Sequence, residues 1–307
     1  MIEDLVSIII VNYNTEQLLE DCIVSIGKHT RNVNCEIIVV DNNSEQGSLS
    51  SLAEKYPTIR FHLSDENQGF GRANNIGASI AKGEYLFFLN PDTLLINNAI
   101  FILYEYLKKH SEVGICGGNL YRGDMKPAVS FHILDFYKRE LRILLNKKWK
   151  QGFNHSDQPQ AVKVIMGADL FISKSLFLKY NGFDEDFFMY FEEVELCDRI
   201  RKTGYKIMSV PEAKIIHLEG GAAENKNEDL HKWSYQEHWY SKFIYFSKTK
   251  GKTLTRVIYF LHISKLELAV LFYSLKRNKT KINYWTQKRD VIKGTFNRYQ
   301  EYLSNKS

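Results

Sequence analysis

Three acidic stretches and one histidine carry the chemistry of this chain. The first is Tyr85-Leu86-Phe87-Phe88-Leu89-Asn90-Pro91-Asp92-Thr93, five apolar residues running into Asn-Pro-Asp. Pro91 has no N–H for a sheet and fixes its φ, so the run must stop there. Asp92 then lies past the carboxyl end of a buried strand, where open α/β sheets bind ligands. The bland alternative is a turn acid satisfied by its own backbone. The second stretch is Gly182 to Arg199 (GFDEDFFMYFEEVELCDR), where aromatic residues surround carboxylates. Such surroundings desolvate an acid and raise its pKa toward the range of a general base. Glu192 and Glu193 fall at a helix start, where acids also serve simply as dipole complements. The third is Asp41-Asn42-Asn43-Ser44, a polar cluster after Glu36 to Val40. His217 follows Ala213 to Ile216 and precedes Glu219-Gly220-Gly221. A histidine at a strand end, in a chain that also offers Asp92, is a candidate metal ligand.

The elements that must position these groups alternate. Leu5 to Val11 predicts a buried strand rich in β-branched residues. Glu16 to Lys28 predicts a helix with Leu18, Leu19, Cys22, Ile23 and Ile26 on one face, and Thr15 as the N-cap. Strands are expected at Glu36–Val40 and Ile59–Leu63, with short and longer helices at Ser50–Lys55 and Gly69–Ala81. The Asp92 strand is the fourth. This β-α-β-α-β-α-β order argues a doubly wound, mostly parallel sheet. Polar clusters then follow strands one, two and four: Asn12/Tyr13, Asp41/Asn42 and Asn90/Asp92. Further on, Ala99–Lys109 and Ser175–Tyr180 predict helices, the latter capped by Asn181-Gly182. Val113–Asn119 and Val162–Ile172 predict strands. Lys138 to Lys150 reads as an amphipathic helix, either covering an acceptor cleft or lying as a surface helix on the core.

Some classes are excluded. The turn after the first strand, Val11-Asn12-Tyr13-Asn14, has no glycine, so a dinucleotide cradle is absent, and no Walker lysine loop occurs. A ligand is therefore held by side chains, and a metal is expected. Cys22, Cys35, Cys116 and Cys197 show no CxxC spacing, so they read as reduced, mostly buried thiols rather than zinc ligands or disulfides. Met1-Ile2-Glu3-Asp4 does not read as a signal peptide. No run of about 18 uninterrupted apolar residues occurs, so no membrane span is expected. The formal charge of the 307 residues is +5, and it is uneven. Fifteen Lys/Arg face three Asp/Glu from Lys242 onward. That tail suits an anionic surface, or it is a solvated helical face.

Taken together, VSIIIVNYN (6–14), EIIVVDNNS (36–44), NQGFGRANNIG (67–77), GEYLFFLNPDT (83–93), the Gly182–Arg199 stretch and His217 resemble the inverting family 2 glycosyltransferases of the GT-A fold. The similarity is greatest to the bacterial rhamnosyltransferase-like branch that builds surface polysaccharides. It covers about residues 5–223. The resemblance implies a GT-A domain over 1–225, with a nucleotide-sugar half at about 1–118 and an acceptor half at about 119–225. Residues 226–307 are then a helical, aromatic and basic extension. It also implies a nucleoside-diphosphate sugar donor, dTDP- or UDP-linked, a glycan or lipid-linked acceptor, and Mg²⁺ or Mn²⁺. The family's Asp-x-Asp turn is Asn90-Pro91-Asp92 here, which leaves Asp92 as the main carboxylate ligand, with His217 completing metal or diphosphate binding. By the same carry-over Asp41 accepts from a pyrimidine N–H. Asn12 and Tyr13 flank the base, and Val11, Asn67, Gly69, Arg72 and Asn90 belong to the donor site. The family's catalytic base is the second acid of a Glu-Asp pair. Here the pair is Glu192-Glu193, so Glu193 takes that role, with Glu192 as the fallback. Asp169, in Met166-Gly167-Ala168-Asp169, is expected to contact a donor or acceptor sugar.

Leu254–Leu275 predicts a helix apolar almost all round, followed by the basic run Lys276–Lys281. That pattern fits a helix lying on an anionic membrane, or a docking or dimerising helix pair forming a homodimer. The expected location is cytoplasmic, either free or peripheral at the inner face of the plasma membrane, with no nucleic-acid partner. Two rival readings remain: a catalytically inactive sugar-nucleotide or glycan-binding protein, and a sugar-phosphate nucleotidyltransferase. The second would want a glycine-rich phosphate loop near the N-terminus, and there is none.

Overall fold

The alternation expected over the first hundred residues is realised in the computed structural model, which describes residues 1–45, 49–147, 152–218 and 228–306. Among these the order is β1 (Ile2–Asn12), α1 (Glu16–His29), β2 (Asn34–Asp41), α2 (Ser50–Lys55), β3 (Arg60–Leu63), α3 (Phe70–Ile80), β4 (Gly83–Leu89), β5 (Thr93–Leu95) and α4 (Ala99–Lys109). There follow β6 (Val113–Tyr121), β7 (Phe131–His132), α5 (Phe136–Leu144), β8 (Gln160–Val162), β9 (Val164–Ile165), β10 (Asp169–Ser173), α6 (Lys174–Lys179), α7 (Glu192–Arg201) and β11 (Lys206–His217). Three long helices end the chain: α8 (Glu228–Lys250), α9 (Lys252–Leu275) and α10 (Lys279–Asn305).

The chain divides into two compact units. One holds residues 1–135, 150–185 and 192–225; the other holds 136–149, 186–191 and 226–307. The expected boundary at 225/226 falls in a segment outside the described residues, as do Glu219-Gly220-Gly221 and the end of the basic stretch at Lys148–Lys150.

The first unit is built on a sheet in the order β3-β2-β1-β4-β10-β6-β11-β5, with β8 on β11. β3, β2, β1 and β4 are parallel, β10 runs antiparallel to β4 and β6, and β11 returns parallel to β6. This direction pattern brings the carboxyl ends of β1, β2, β4 and β11 and the amino end of β10 to one edge. Asn12, Asp41, Asn90, Asp169 and His217 all sit there.

The strands are continuous apolar runs because both faces are covered. Val6, Ile8 and Ile10 join Leu19, Cys22, Ile23 and Ile26 of α1 and Ile100 and Leu103 of α4 in one core cluster. On the other face Phe88 packs against Phe177 and Phe183, with ring centroids 4.9 and 5.0 Å away. Gly77 lets α3 close on the sheet: a Cβ there would come within 2.5 Å of Ile9 Cγ2.

One local expectation is corrected. Thr15 precedes α1 but makes no side-chain cap. Its hydroxyl donates instead to Asn12 Oδ1 at 2.8 Å, so it serves the edge cluster rather than the helix. By length and composition alone α9 is also long and apolar enough to cross a membrane, although His262, Lys265 and Glu267 interrupt it.

The helical unit packs aromatic faces around Phe243, Tyr259, Phe296 and Tyr299. Tyr259 and Phe296 stack with centroids 3.8 Å apart. Within it Glu140 of α5 is buried between Lys242 Nζ at 3.3 Å and His262 Nε2 at 2.5 Å. Burial alone would raise its pKa, but the Lys242 ammonium and the His262 hydrogen bond outweigh that and hold the carboxyl at about 2. The pair is a liability if halved. Glu140→Ala leaves Lys242 buried and uncompensated, and it should cost about 3–5 kcal/mol of stability. Urea unfolding of the variant reads this directly, and a loss under about 1 kcal/mol would show that the pair contributes little.

Candidate active site

β1 and β2 end in register, Asn12 opposite Asp41. Asn12 is fully buried, and its amide is committed. Nδ2 donates to Asp41 Oδ1 at 2.9 Å and to Ser44 Oγ at 3.1 Å. Ser44 then closes a turn on the same acid: its Oγ donates to Asp41 Oδ1 at 2.6 Å and its backbone N–H to Oδ2 at 3.1 Å. Asn12 thus orients Asp41, while Tyr13 beside it is 46% exposed. An open cavity of about 400 Å³ lies against Asp41, Ser44, Leu49, Phe61, Leu63 and Ser64. A carboxylate has about four acceptor sites, so Asp41 keeps capacity toward that cavity.

Asn42 fixes the next loop. Its Nδ2 donates to Asn67 Oδ1 at 2.8 Å and to Gly69 O at 3.2 Å, and its Oδ1 accepts from Gln68 N at 2.8 Å. Gly69 holds φ 78° at the N-terminus of α3, a left-handed value that glycine adopts freely. Arg72, one turn on, is exposed, and its Nε donates to the Glu185 carbonyl at 3.1 Å. Neither Ser44 nor Asn42 was assigned a role from the sequence. The visible signal was an Asx turn, since a Ser three residues after Asp41 can satisfy that carboxylate locally.

At the centre of the edge, His217 Nε2 lies 3.3 Å from Asp92 Oδ1 and 3.4 Å from Asn90 Nδ2. The pairing of β11 with β5, His217 opposite Thr93, sets this approach. Thr93 Oγ1 donates to Asn90 O at 2.7 Å and tightens the turn. Asn90 Oδ1 is buried and has no hydrogen-bond partner among the described residues. A buried acceptor left so costs about 1–3 kcal/mol unless a ligand completes it. The Asp92 carboxylate and the His217 imidazole, gathered this closely beside the Asn90 amide, fit a divalent cation. Among the described residues no group of three or more His, Cys, Asp or Glu side chains could hold a metal ion, so ligand oxygens must complete such a shell.

The acid pair opens α7. Arg199 anchors that helix: Nη2 donates to Glu195 Oε2 at 2.6 Å and to Gly182 O at 2.8 Å. Tyr190 and Phe191, the two residues before the pair, both have positive φ, 68° and 70°. Bulky residues rarely hold that conformation, which costs about 1–3 kcal/mol each.

Glu192 and Glu193 differ in setting. Glu192 is buried against the first turn of α3, its Cβ 3.5 Å from where a Cβ on Gly71 would stand. Burial first, and Glu193 second, push its pKa well above the usual carboxylate range. Glu193 is half-buried and faces the turn at Gly167, where an added Cβ would lie 3.8 Å from its Cβ and 3.6 Å from Phe70 Cε1. That turn also touches the Asp92 loop, because Asn90 N donates to Ala168 O at 3.1 Å.

Asp169 closes the same turn but points inward. It is fully buried, and its Oδ2 accepts from Gly118 N at 2.6 Å. Burial pushes its pKa well up. The folded form holds the proton more tightly than the unfolded chain, so this stability is full below about pH 4 and is lost as pH rises through the raised value. Asp169→Asn removes that dependence. Its urea midpoint should fall less than the wild type's between pH 5 and 8, and parallel curves would show that Asp169 stays ionised in the fold.

Comparison with known proteins identifies the family and the fold. A sequence model described as Glycosyl transferase family 2 matches residues 7–177. Rhamnosyltransferase WbbL of Escherichia coli (strain K12) is 25% identical over 264 residues, 80% of this chain and 94% of that protein. The N-acetylglucosaminyl-diphospho-decaprenol L-rhamnosyltransferase of Mycobacterium tuberculosis is 24% identical over 237 residues, 70% of this chain and 76% of that one. Among solved structures, the mannosyltransferase PcManGT of Pyrobaculum calidifontis, in complex with GDP-Man and Mn²⁺, superposes with a TM-score of 0.54 at 16% identity, covering 96% of this chain and 86% of that chain. GalNAc-T7 with UDP, GalNAc and Mn²⁺ gives 0.58 at 19% identity over 69% of this chain and 42% of that one. These likenesses place the chain in the GT-A fold.

Proposed function

The chain belongs to glycosyl transferase family 2, and from that premise we propose a single inverting displacement assisted by Mg²⁺ or Mn²⁺. A sugar, rhamnose or another hexose, moves from a dTDP- or UDP-linked donor to a glycan or lipid-linked acceptor of bacterial surface polysaccharide. The observation that carries the reading is the Gly167 turn. Glu193 stands beside Gly167, and the Asn90 N–H bonds to the carbonyl of the next residue, Ala168, so the proposed base and leaving-group site meet one short span of chain.

In this account Asp41 accepts from the ring N–H of a pyrimidine base seated in the neighbouring cavity. Asn12 and Ser44 hold its carboxylate for that contact. Asp92, His217 and the Asn90 amide oxygen receive the diphosphate end with its cation. Bound there, the cation offsets the charge that develops on the diphosphate as the sugar–phosphate bond breaks. Glu193 takes the proton of the acceptor hydroxyl, and the oxygen so released attacks the anomeric carbon from the opposite face. Glu192, buried and favouring the proton, supports the helix start. Burial is the first cause of that preference. The test is stereochemical. The anomeric configuration of the product, read by NMR against the donor's, should be inverted; retention would rule out the single displacement.

A further inference from the structure

α9 presents an unusual outer face. Phe260, Leu261, Leu268, Leu271, Phe272 and Leu275 recur at helical spacing along one side and are all exposed, Leu268 at 67% and Leu275 at 78%. The opposite side, with Thr255, Ile258, His262, Ile263 and Leu266, is buried in the helical unit. The apolar face is bracketed by cations: Lys252 and Arg256 at one end, and Lys276, Arg277, Lys279 and Lys281 at the other, all exposed. Between residues 247 and 289 there are eleven Lys/Arg and a single acid, Glu267. That acid is engaged by Lys293 at 2.9 Å.

We propose that α9 is an interfacial anchor that lies in the plane of an anionic lipid bilayer, its apolar face among the acyl chains and its flanking cations on the headgroups. Charge selects this occupant over a second copy of the chain. A two-fold contact that buries the whole length of this face, parallel or antiparallel, brings each helix end against a helix end of its partner, and every end is basic. Spanning is disfavoured by the buried side. His262 Nε2 sits 2.5 Å from Glu140 Oε1, and Lys265 Nζ donates to Ile143 O at 2.8 Å and to Asn146 Oδ1 at 2.6 Å. A span would strip these contacts and carry Lys265 and Glu267 into hydrocarbon, where such residues are costly. The proposal does not depend on the donor, the metal or the base.

The test uses the full chain sedimented with vesicles of phosphatidylcholine, with and without one third phosphatidylglycerol. Binding should require the anionic lipid and weaken as salt rises. The Leu268→Ser/Leu271→Ser variant should bind at least about 10-fold less, with an unchanged far-ultraviolet spectrum. As an independent reading in a chain that keeps its apolar face, Phe260→Trp should show blue-shifted emission with the anionic vesicles alone. Absence of vesicle binding by the wild type, or binding indifferent to the double substitution, would overturn the proposal. So would resistance to an alkaline carbonate wash, which marks a span, or a solution dimer that the double substitution dissociates, which marks a second copy.

Discussion

Replacing Glu193 by Gln should lower sugar transfer by about 10²–10⁴-fold, the usual worth of a positioned general base. Gln keeps the shape of the side chain and loses its capacity to take a proton. Nucleotide binding should therefore stay within about twofold, because the contacts at Asp41 and Asp92 are untouched. The control is the neighbouring residue. Glu192 is buried and held toward its protonated form, so Glu192→Gln replaces a neutral acid by a neutral amide. Transfer by that variant should stay within about tenfold of the wild type, since no proton-accepting group is lost. The two variants together separate the base from its buried companion. If Glu192→Gln carries the larger loss, the roles are exchanged. If neither variant slows transfer, the base lies elsewhere.

The second large effect is expected at Asp92. It supplies the only carboxylate of the turn, because Asn90 occupies the other acid position of the family's Asp-x-Asp pattern. Asp92→Asn removes the negative charge that draws a cation to the edge while keeping a side chain of the same size. A cation at a leaving group is worth several kcal/mol, so a loss of about two to four decades in turnover is expected. The variant should also need far more Mn²⁺ for half-maximal rate. His217→Ala should follow the same direction with a smaller loss, since an imidazole contributes no formal charge when neutral. Turnover in Asp92→Asn that equals the wild type's, with the same metal requirement, would remove Asp92 from the donor site.

Much of this site was legible because strand ends announce themselves. Five apolar residues stopped by Asn90-Pro91-Asp92 identify a buried strand and its carboxyl end together, and β4 ends at Leu89 as that reading requires. The parallel alternation then brings Asn12, Asp41 and Asn90 to one edge by topology alone. What could not be read is the direction of side chains once there. Asn12 carries a polar group at a ligand edge, yet its amide is committed to Asp41 and Ser44. Asp169 lies beside the Asp92 strand, opposite Leu89, yet its carboxylate turns inward to Gly118. Hydrogen bonds between residues far apart in the chain, such as Asn42 to Asn67, leave no periodicity to detect. The positive φ angles at Tyr190 and Phe191 run against residue preference and were invisible for that reason.

The helical unit shows the same division. The Leu254–Leu275 helix follows from its apolar run, and aromatic residues of the extension pack along α8, where the Trp239 and Phe243 rings lie 5.5 Å apart. The pairing of Glu140 with Lys242 and His262 spans more than a hundred residues of sequence and depends on how α5 docks, which no local pattern encodes. The basic run at Lys276–Lys281 also concealed an element boundary. Asn278 caps α10 there, its side chain accepting from Lys281 N.

In the proposed reaction the edge cluster receives a nucleoside-diphosphate sugar and Glu193 starts its transfer. The most direct measurement is turnover of a panel of dTDP- and UDP-sugars, with Mn²⁺ or Mg²⁺ and with EDTA, by the wild type and Glu193→Gln side by side. The account predicts metal-dependent turnover of one donor that collapses in Glu193→Gln while nucleotide binding persists. Nucleotide binding with no turnover of any donor, or turnover that EDTA and Glu193→Gln both leave intact, would contradict it.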